Sequence, residues 1–226
     1  MSEPRGAFRL IQADVVEFDA AWELQRELAD SVRGGAPPVL FLLQHPPVFT
    51  LGRHADRANL LAPGDIPVKA IDRGGDVTYH GPGQLVAYPI LSLRERRIGL
   101  RDHVRNLERA AAETVSEYGP AAAPREKCVG VWTARGKIAS LGVRVARGVT
   151  MHGLALNVCP DLAPFGRINP CGVPGGAVTS ISDEIGRRVT VEEVAGRFVP
   201  RFARAFRFSS WIAAPRPAVP EIPIRP

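Results

Sequence analysis

The sequence predicts a single α+β domain in which helices pack on a largely antiparallel or mixed sheet. Three strand-like segments follow one another in the second half of the chain, at 129–133, 137–145 and 149–158. Their connections are only three residues long, which is typical of hairpins between antiparallel strands. Helical apolar patterns occur elsewhere, and no internal repeat or linker divides the chain, so one α+β domain accounts for the whole pattern.

The first part of the chain is predicted to form one helix and several short strands. Apolar residues recur at helical spacing from Asp19, which can cap the helix, to Val32, and a Gly-Gly pair ends it. The predicted strands are 39–44, 48–51, 68–71 and 85–91. The first two flank the sequence HPP, so we interpret His45 as part of a turn.

Two later helices follow the same rules. An apolar stripe predicts a helix from Arg101 to Tyr118, stopped by a Gly-Pro pair, and places His103 on its solvent side. The last helix begins at Thr190, whose hydroxyl is expected to form a capping box with Glu193.

The folded domain is expected to span residues 1–211. A chain of this length can bury a sizeable core without disulfides or metals. From Ile212 onward the sequence holds five prolines in fifteen residues, which predicts an extended or disordered tail at 212–226.

The composition is that of an ordinary globular protein, with 45% hydrophobic and 23% charged residues. No apolar run approaches the roughly 20 residues that span a bilayer. The N-terminus lacks the apolar core of a signal peptide. The three cysteines (Cys128, Cys159 and Cys171) have no CxxC spacing, which argues against a disulfide framework and a structural zinc site. We therefore expect a cytoplasmic protein with no membrane association.

The net charge of +6 favours an acidic partner. A nucleic acid would satisfy that charge. However, the aromatic content is only 7% and no nucleic-acid-binding motif is present, so a basic nucleic-acid module is the weaker interpretation.

Cys171 is the strongest candidate nucleophile. Cys128 and Cys159 lie at strand edges, where a cysteine is usually a small buried hydrophobe. Cys171 instead stands in the loop sequence NPCGVPGG, and loops on a rigid scaffold often carry reactive groups. Lys137 precedes a strand with small residues at 139, 140 and 142, which allow close approach of a ligand. Its charge could activate a thiol.

Histidines and a glycine-rich block supply the remaining candidates. His80 and His152 are each followed by glycine, and no HxH, HxxxH or carboxylate cluster accompanies them, so no metal site is expected. The block RGGDVTYHGPGQL, residues 73–85, lacks the spacing of a nucleotide-binding loop. Its glycines allow backbone amides to approach a ligand closely.

Taken together, these segments resemble the octanoyltransferases of lipoate biosynthesis. The resemblance rests on five blocks, QHPPVFTLGR (44–53), RGGDVTYHGPGQLVAYPI (73–90), KIASLGVRV (137–145), HGLALNV (152–158) and NPCGV (169–173). These blocks follow the family's order and span most of the chain. The resemblance implies a fold similar to the catalytic domain of biotin and lipoate protein ligases.

The resemblance also implies roles for individual residues. Cys171 matches the nucleophile that carries the acyl group as a thioester, and Lys137 matches the residue that lowers the pKa of that cysteine. His152 is a possible supporting residue. The matched substrate-binding residues are Arg73, Gly74, Gly75, Asp76, Val77, Thr78, Tyr79, His80, Ser140, Leu141, Gly142, Gly153, Leu154 and Ala155. Among them, we expect Arg73, Thr78 and His80 to donate hydrogen bonds near the thioester.

The implied reaction transfers octanoyl from octanoyl-acyl carrier protein to a lysine of a lipoyl domain, with no cofactor. The implied acceptors are lipoyl domains of 2-oxoacid dehydrogenase subunits and the glycine cleavage H protein. Because these partners are acidic, the segment RERR (94–97) and Arg101 are candidate docking residues. The alternative is that this segment is a solvated basic turn.

An ATP-dependent lipoate or biotin protein ligase is the alternative function on the same fold. Such a ligase forms an acyl-adenylate and needs no nucleophilic cysteine. The loop around Cys171 and the lack of an accessory domain favour the transferase, and acyl transfer without ATP would discriminate the two.

Overall fold

The protein contains a large mixed sheet and a small one, as the predicted α+β class requires. The computed structural model describes residues 6–126, 128–172 and 175–215, apart from the side chain of Cys171. The strands in this part of the chain are β1 (Ala7–Val15), β2 (Val39–Gln44), β3 (Val48–Leu51), β4 (Val68–Ala70), β5 (Val77–His80), β6 (Gln84–Ile90), β7 (Ala123–Arg125), β8 (Cys128–Trp132), β9 (Lys137–Ala146), β10 (Val149–Asn157) and β11 (Ser210–Ala213).

The eight strands of the large sheet follow the order β11-β1-β2-β6-β10-β9-β8-β7, and the small sheet follows β4-β3-β5. Strands β8, β9 and β10 form the predicted antiparallel meander. Parallel pairing occurs where β1 lies between β2 and β11. Although only His45 and two prolines separate β2 from β3, these strands belong to different sheets, so the connection crosses from one sheet to the other.

Helices cover both faces of the large sheet. The α-helices of the described residues are α1 (Phe18–Arg33), α2 (Leu93–Arg96), α3 (Leu100–Ser116), α4 (Ile181–Ile185) and α5 (Val191–Phe206). Helices α3 and α5 pack against one face, and α1 packs against the other. The continuous apolar run of β2 fits this arrangement, because Leu40 and Leu42 enter one core while Phe41 and Leu43 enter the other.

Most elements lie within one or two residues of their predicted bounds. The sequence prediction missed β1 and β5 and the short elements β7, β11, α2 and α4. Strand β5 lies inside the glycine-rich block, where flanking glycines and a proline favoured a loop. Its pairing with β3 supplies the backbone hydrogen bonds that local sequence did not reveal.

The two predicted helix starts have different outcomes. The Thr190 hydroxyl accepts a hydrogen bond from the Glu193 backbone N–H at 3.1 Å, so the Thr190 half of the predicted capping box of α5 is confirmed. The predicted cap of α1 is wrong, because Glu17 occupies the N-cap position and Asp19 lies in the first turn. The Asp19 carboxylate pairs instead with Lys69 of β4.

His103 is buried, contrary to the prediction that it faces solvent. Its ring packs edge-to-face on Phe206 of α5, with the centroids 5.2 Å apart. Helix α5 lies against α3 and covers this position, which the apolar stripe of α3 alone could not indicate. Burial lowers the pKa of His103 to about 4.

The C-terminal part of the described chain continues the large sheet. Strand β11 pairs in parallel with β1, with Ser210 opposite Ala7 and Ala213 opposite Leu10. The predicted start of the tail, Ile212, therefore lies inside a strand. Residues 216–226, which make up the rest of the predicted tail, lie outside the described residues. None of the described helices combines the length and apolar character required to cross a membrane.

Arg96 has a structural position that the docking prediction did not anticipate. Its guanidinium lies 4.0 Å from the centroid of the Phe208 ring and donates hydrogen bonds to the Phe206 and Arg207 carbonyl oxygens at the end of α5. These contacts tie α2 to the C-terminus of α5. Arg96 is therefore a poor candidate for docking, whereas Arg94, Arg97 and Arg101 are exposed.

We expect Arg96→Ala to lower the free energy of unfolding by about 1–2 kcal/mol, because charged hydrogen bonds to two helix-terminal carbonyls are lost. The exposed Arg94→Ala is the matched control, with an expected change within about 0.5 kcal/mol. Urea unfolding measures both. Equal effects of the two substitutions would contradict the structural role of Arg96.

Candidate active site

A cavity of about 310 Å³ lies between the glycine-rich block and strands β9 and β10. It brings together residues from distant parts of the sequence. The predicted site residues in its wall are Arg73, Gly75, Asp76, Val77, Thr78, His80, Lys137, Ser140, Leu141, Gly142, His152, Gly153, Leu154 and Ala155. The wall also contains residues that the prediction missed or placed elsewhere, namely Phe18, His54, Ile71, Tyr88, Cys128, Val129 and Pro170.

Two predicted substrate-binding residues do not line this cavity. Tyr79 points into the core of the small sheet, where its ring lies between Phe49 and Phe165 at centroid distances of 5.5 and 5.4 Å. Gly74 donates its backbone N–H to the Val143 carbonyl oxygen at 3.0 Å. This bond joins the glycine-rich block to β9, so Gly74 shapes the wall without forming its surface.

The glycines around the cavity make room for a buried arginine. The Arg73 guanidinium donates to the Thr50 carbonyl oxygen at 2.7 Å, to the Thr50 hydroxyl at 2.8 Å and to the Gly74 carbonyl oxygen at 3.0 Å. A Cβ at Gly142 would lie 2.7 Å from Arg73 Cδ and 2.9 Å from the Gly74 carbonyl oxygen, and a Cβ at Gly52 would clash with the Gly75 carbonyl oxygen as well as lie 2.8 Å from Arg73 Nη1. Glycine at these positions is thus a steric requirement of the Arg73 side chain together with the backbone of the glycine-rich block.

Arg73 lines the cavity, and its role as a donor near a thioester stays a prediction. Both terminal nitrogens donate to the protein itself, whereas the buried Nε has no hydrogen-bond partner among the described residues. Burial lowers the pKa of Arg73 to about 10, so the side chain remains charged near neutral pH. We conclude that Arg73 contributes a fixed positive charge to the cavity wall.

Asp76 connects the glycine-rich block to the loop that carries Cys171. One carboxylate oxygen accepts from the Asn59 side-chain amide at 2.6 Å, and the other accepts from the Val77 backbone N–H at 2.7 Å. The Asn59 carbonyl oxygen in turn accepts from the Asn169 N–H at 2.8 Å. The bonds thus run from Asp76 through Asn59 to the start of the loop. Asn59 lies outside every predicted motif.

The backbone of Pro170–Gly172 forms a single 3₁₀ turn, and Pro170 lines the cavity. The side chain of Cys171 lies outside the described residues, as do Val173 and Pro174. Cys128, which the sequence placed at a strand edge, belongs to the cavity wall. The cavity is therefore lined by one described thiol and bordered by the turn that contains Cys171.

Lys137 is held at the start of β9 by backbone bonds on both sides. Its N–H donates to the Ala177 carbonyl oxygen at 2.9 Å, and its carbonyl oxygen accepts from the Thr179 N–H at 3.1 Å. The side chain is only 5% exposed and lies against Gly130, and its ammonium is 5.6 Å from the centroid of the Trp132 ring. The segment that follows the Cys171 loop thus fixes Lys137.

Glu108 of α3 is a buried acid in the same region that the sequence prediction missed. Its carboxylate accepts from the Gly130 N–H at 3.0 Å. Burial raises the pKa of Glu108, whereas this hydrogen bond and the charges of Arg105 and Lys137 act in the opposite direction. The sequence offered one indication that Glu108 is buried, namely its position beside the apolar stripe of α3.

His45 is buried and does not belong to a simple turn, contrary to the interpretation of HPP. Its Nδ1–H donates to the Val16 carbonyl oxygen at 2.7 Å, and the Tyr88 hydroxyl donates to its Nε2 at 2.7 Å. Burial lowers the pKa of His45 to about 4. Its ring centroid lies 5.0 Å from that of Phe18, which lines the cavity.

His80 and His152 lie on the same side of the cavity as Phe18. Burial lowers the pKa of His80 well below its ordinary value and that of His152 to about 3. His152 approaches Asp72 at 2.9 Å, but Asp72 also pairs with Arg144, which offsets its negative charge. Both imidazoles are therefore neutral at pH 7. His152 has a left-handed backbone, with φ of 56°, which is unusual for a residue other than glycine.

No group of three or more His, Cys, Asp or Glu side chains that could hold a metal ion is found in residues 6–126, 128–172 and 175–215, Cys171 side chain excepted.

Residues 17–203 match the family model described as the lipoyl protein ligase A/B catalytic domain. The chain is 45% identical to the octanoyltransferase of Cellvibrio japonicus over 193 residues, which cover 85% of this chain and 90% of that protein. It is 49% identical to the octanoyltransferase of Citrifermentans bemidjiense over 190 residues, with 82% and 93% covered. These relatives confirm the resemblance drawn from the sequence.

Solved structures confirm the predicted similarity of fold. A bipartite lipoate protein ligase from Thermoplasma acidophilum superposes with a TM-score of 0.72 at 16% identity, covering 92% of this chain and 88% of that one. A biotin protein ligase from Aquifex aeolicus, in complex with biotin and ATP, gives a TM-score of 0.55 at 12% identity, with 88% and 70% covered. At these identities the likeness concerns the fold alone.

The buried histidines predict a loss of stability as pH falls. Their pKa values are lower in the folded than in the unfolded protein, so each binds its proton more readily when unfolded. The free energy of unfolding should be constant above about pH 7.5 and decrease below pH 6.5, by up to about 1.4 kcal/mol per pH unit for each such histidine. Urea unfolding between pH 8 and 5.5 measures the slope.

Two variants serve as matched controls for this pH dependence. His103→Leu should reduce the slope because it removes one buried imidazole, whereas the exposed His54→Gln should leave the slope unchanged. A slope that is the same in all three proteins would contradict the assignment to buried histidines.

Proposed function

Because the chain belongs to the lipoyl protein ligase A/B catalytic-domain family, we propose that it is an octanoyltransferase, an acyltransferase of protein lipoylation. The observation that carries the proposal is the agreement among relatives 42–49% identical over 81–95% of the chain, all named octanoyltransferase. The family match at residues 17–203 includes every candidate site residue.

In the proposed reaction, the Cys171 thiolate attacks the thioester carbonyl of octanoyl-acyl carrier protein, and the carrier thiol leaves. The acceptor lysine amine of a lipoyl domain then attacks the new thioester, forming an amide and releasing the Cys171 thiol. The proposed acceptors are the lipoyl domains of 2-oxoacid dehydrogenase subunits and the glycine cleavage H protein. Exchange between thioesters is nearly neutral in free energy, whereas the amide is more stable, so no ATP is needed.

Several features of the cavity support this reaction. Its volume lies near the lower end of the roughly 300–1,000 Å³ typical of small-molecule pockets, which suits one medium-length chain. The positive charges of Lys137 and Arg73 in the cavity wall favour a thiolate and a developing oxyanion. The backbone of Pro170–Gly172 borders this space, so the Cys171 thioester is proposed to form there.

An ATP-dependent ligase remains the second candidate, because the solved structures of similar fold include lipoate and biotin protein ligases. The two functions differ in their requirement for ATP and for a cysteine. Acyl transfer from the carrier protein in the absence of ATP would exclude the ligase.

Docking of the acidic carrier protein is proposed to use exposed arginines. Arg94, Arg97 and Arg101 remain candidates, whereas Arg96 is engaged at the end of α5. Attraction between exposed charges weakens as the Debye length falls to about 8 Å at 0.15 M ionic strength. Docking is therefore expected to weaken with added salt.

Incubation with octanoyl-acyl carrier protein should add one octanoyl group to Cys171, as detected by intact-mass and peptide mass spectrometry. Cys171→Ala should abolish the adduct. Cys128→Ala is the essential control, because Cys128 also lines the cavity. Cys159→Ala is a second control, since burial raises the pKa of that thiol. An octanoyl group on Cys128 would overturn the assignment.

Lys137→Arg should separate the two half-reactions. Arginine keeps the positive charge that favours the Cys171 thiolate but does not release a proton at working pH. The variant should therefore acylate Cys171 and then accumulate the thioester. Lys137→Ala should be slow in both halves, because it loses the charge and the proton-transfer group together.

Single-turnover kinetics of acyl-enzyme formation and of transfer to a lipoyl domain would measure the two steps. Complete transfer by Lys137→Arg at the wild-type rate would show that Lys137 acts only through its charge.

A further inference from the structure

The cavity has two ends with different chemistry. Lys137 begins β9, whereas His152 of β10 lies opposite Val143, six residues further along β9. Ser140, Leu141 and Gly142 of β9 form the cavity wall between these two positions. We use the term distal end for Phe18, His80, Tyr88 and His152, which are all buried and line the cavity. The imidazoles of His80 and His152 lie 6.2 and 6.5 Å from the Phe18 ring centroid.

A chain of hydrogen bonds fixes which nitrogen of His80 carries the proton. The Asn157 side-chain N–H donates to the Thr179 carbonyl oxygen at 3.0 Å, because that oxygen can only accept. The Asn157 amide oxygen then accepts from the Gln84 side-chain N–H at 3.0 Å. This orientation turns the Gln84 amide oxygen toward His80 Nδ1, 3.3 Å away. His80 Nδ1 must therefore be the protonated nitrogen, which leaves a lone pair on Nε2.

The same logic applies to the other side chains of the distal end. Asp72 is a carboxylate, so His152 Nε2 donates to it and the lone pair lies on Nδ1. His45 Nδ1 donates to the Val16 carbonyl oxygen, so its Nε2 accepts the Tyr88 hydroxyl proton. Tyr88 has then used its only donor. The distal end thus contains several hydrogen-bond acceptors.

These acceptors include two ring nitrogens without a protein partner. Hydrogen bonds from the described residues reach one ring nitrogen of His80 and one of His152. The other nitrogen of each ring is not among the buried polar atoms that lack a hydrogen-bond partner, so it is accessible to solvent. Both rings line the cavity. An alkyl chain would cover these lone pairs without satisfying them, which is unfavourable in a buried site.

We propose that the distal end accepts a hydrogen-bond donor at the far end of the acyl chain, so that medium-chain acyl groups with a terminal hydroxyl are substrates alongside octanoyl. The proposal rests on the proposed acyl transfer. The acyl-transfer chemistry is unchanged, because the hydroxyl takes no part in it. The hydroxyl donates to His80 Nε2 or His152 Nδ1 and thereby satisfies a lone pair that octanoyl leaves unpaired.

The test compares kcat/KM for 8-hydroxyoctanoyl- and octanoyl-acyl carrier protein within each enzyme preparation. The wild-type ratio of the two values should lie within about threefold of one, because a buried hydroxyl that finds a partner loses little free energy. His80→Phe and His152→Phe keep a ring but remove the lone pair, so at least one of them should lower the ratio about tenfold. Val129→Ala, at the exposed rim, is the matched control and should leave the ratio unchanged.

A wild-type ratio below about one-tenth, or a ratio that neither ring variant lowers by about fivefold, would overturn the proposal. Because the ratio is taken within one preparation, a general loss of activity does not affect it.

Binding of free octanoate and 8-hydroxyoctanoate to the same proteins, measured by calorimetry, separates this proposal from the proposed function. If neither carrier protein donates its acyl group, the proposed function fails, and the ratio of the two dissociation constants still decides the distal-end proposal. ¹⁵N NMR of the imidazoles adds a measurement on the wild-type protein. The signal of His80 Nε2 or His152 Nδ1 should shift more with 8-hydroxyoctanoate than with octanoate, and equal shifts would count against the proposal.

Discussion

The buried guanidinium of Arg73 is the constraint on which the cavity depends. It joins Thr50 of the small sheet to the glycine-rich block, and its side chain occupies the space left by Gly52 and Gly142. Satisfying a buried arginine requires several carbonyl and hydroxyl acceptors in fixed positions. The bond between Gly74 and Val143 then holds the same block against β9. The two sheets are therefore kept at a separation that leaves a cavity between them.

A second set of bonds couples the two ends of this cavity. Thr179 donates its N–H to the Lys137 carbonyl oxygen, and its own carbonyl oxygen accepts from Asn157, which begins the chain to Gln84 and His80. Thr179, which follows the Cys171 loop, thus contributes to the position of Lys137 and determines which ring nitrogen of His80 carries the proton. A shift of this segment would affect both groups, although they lie on different walls.

The charges of the site are distributed unevenly. Arg73 and Lys137 are cations in the cavity wall, while burial keeps His45, His80 and His152 neutral near pH 7. The positive charge of the wall therefore comes from Arg73 and Lys137, and the imidazoles act as hydrogen-bonding groups. This distribution suits chemistry in which an anionic sulfur or oxygen develops beside fixed positive charges.

The sequence alone determined the α+β class, the meander of β8 to β10 and most residues of the cavity wall. The fold class and the meander follow from local patterns such as short hairpin connections, whereas most of the cavity-wall residues were implied by the resemblance to the octanoyltransferases. The sequence did not reveal β5, the burial of His45 and His103, or the structural engagement of Arg96. Each of these depends on an element distant in the chain, such as α5 covering His103 or β3 pairing with β5. Residue types and spacing thus indicate which groups are present, but hydrogen-bond partners and burial, which set charge and proton position, are decided only by tertiary packing.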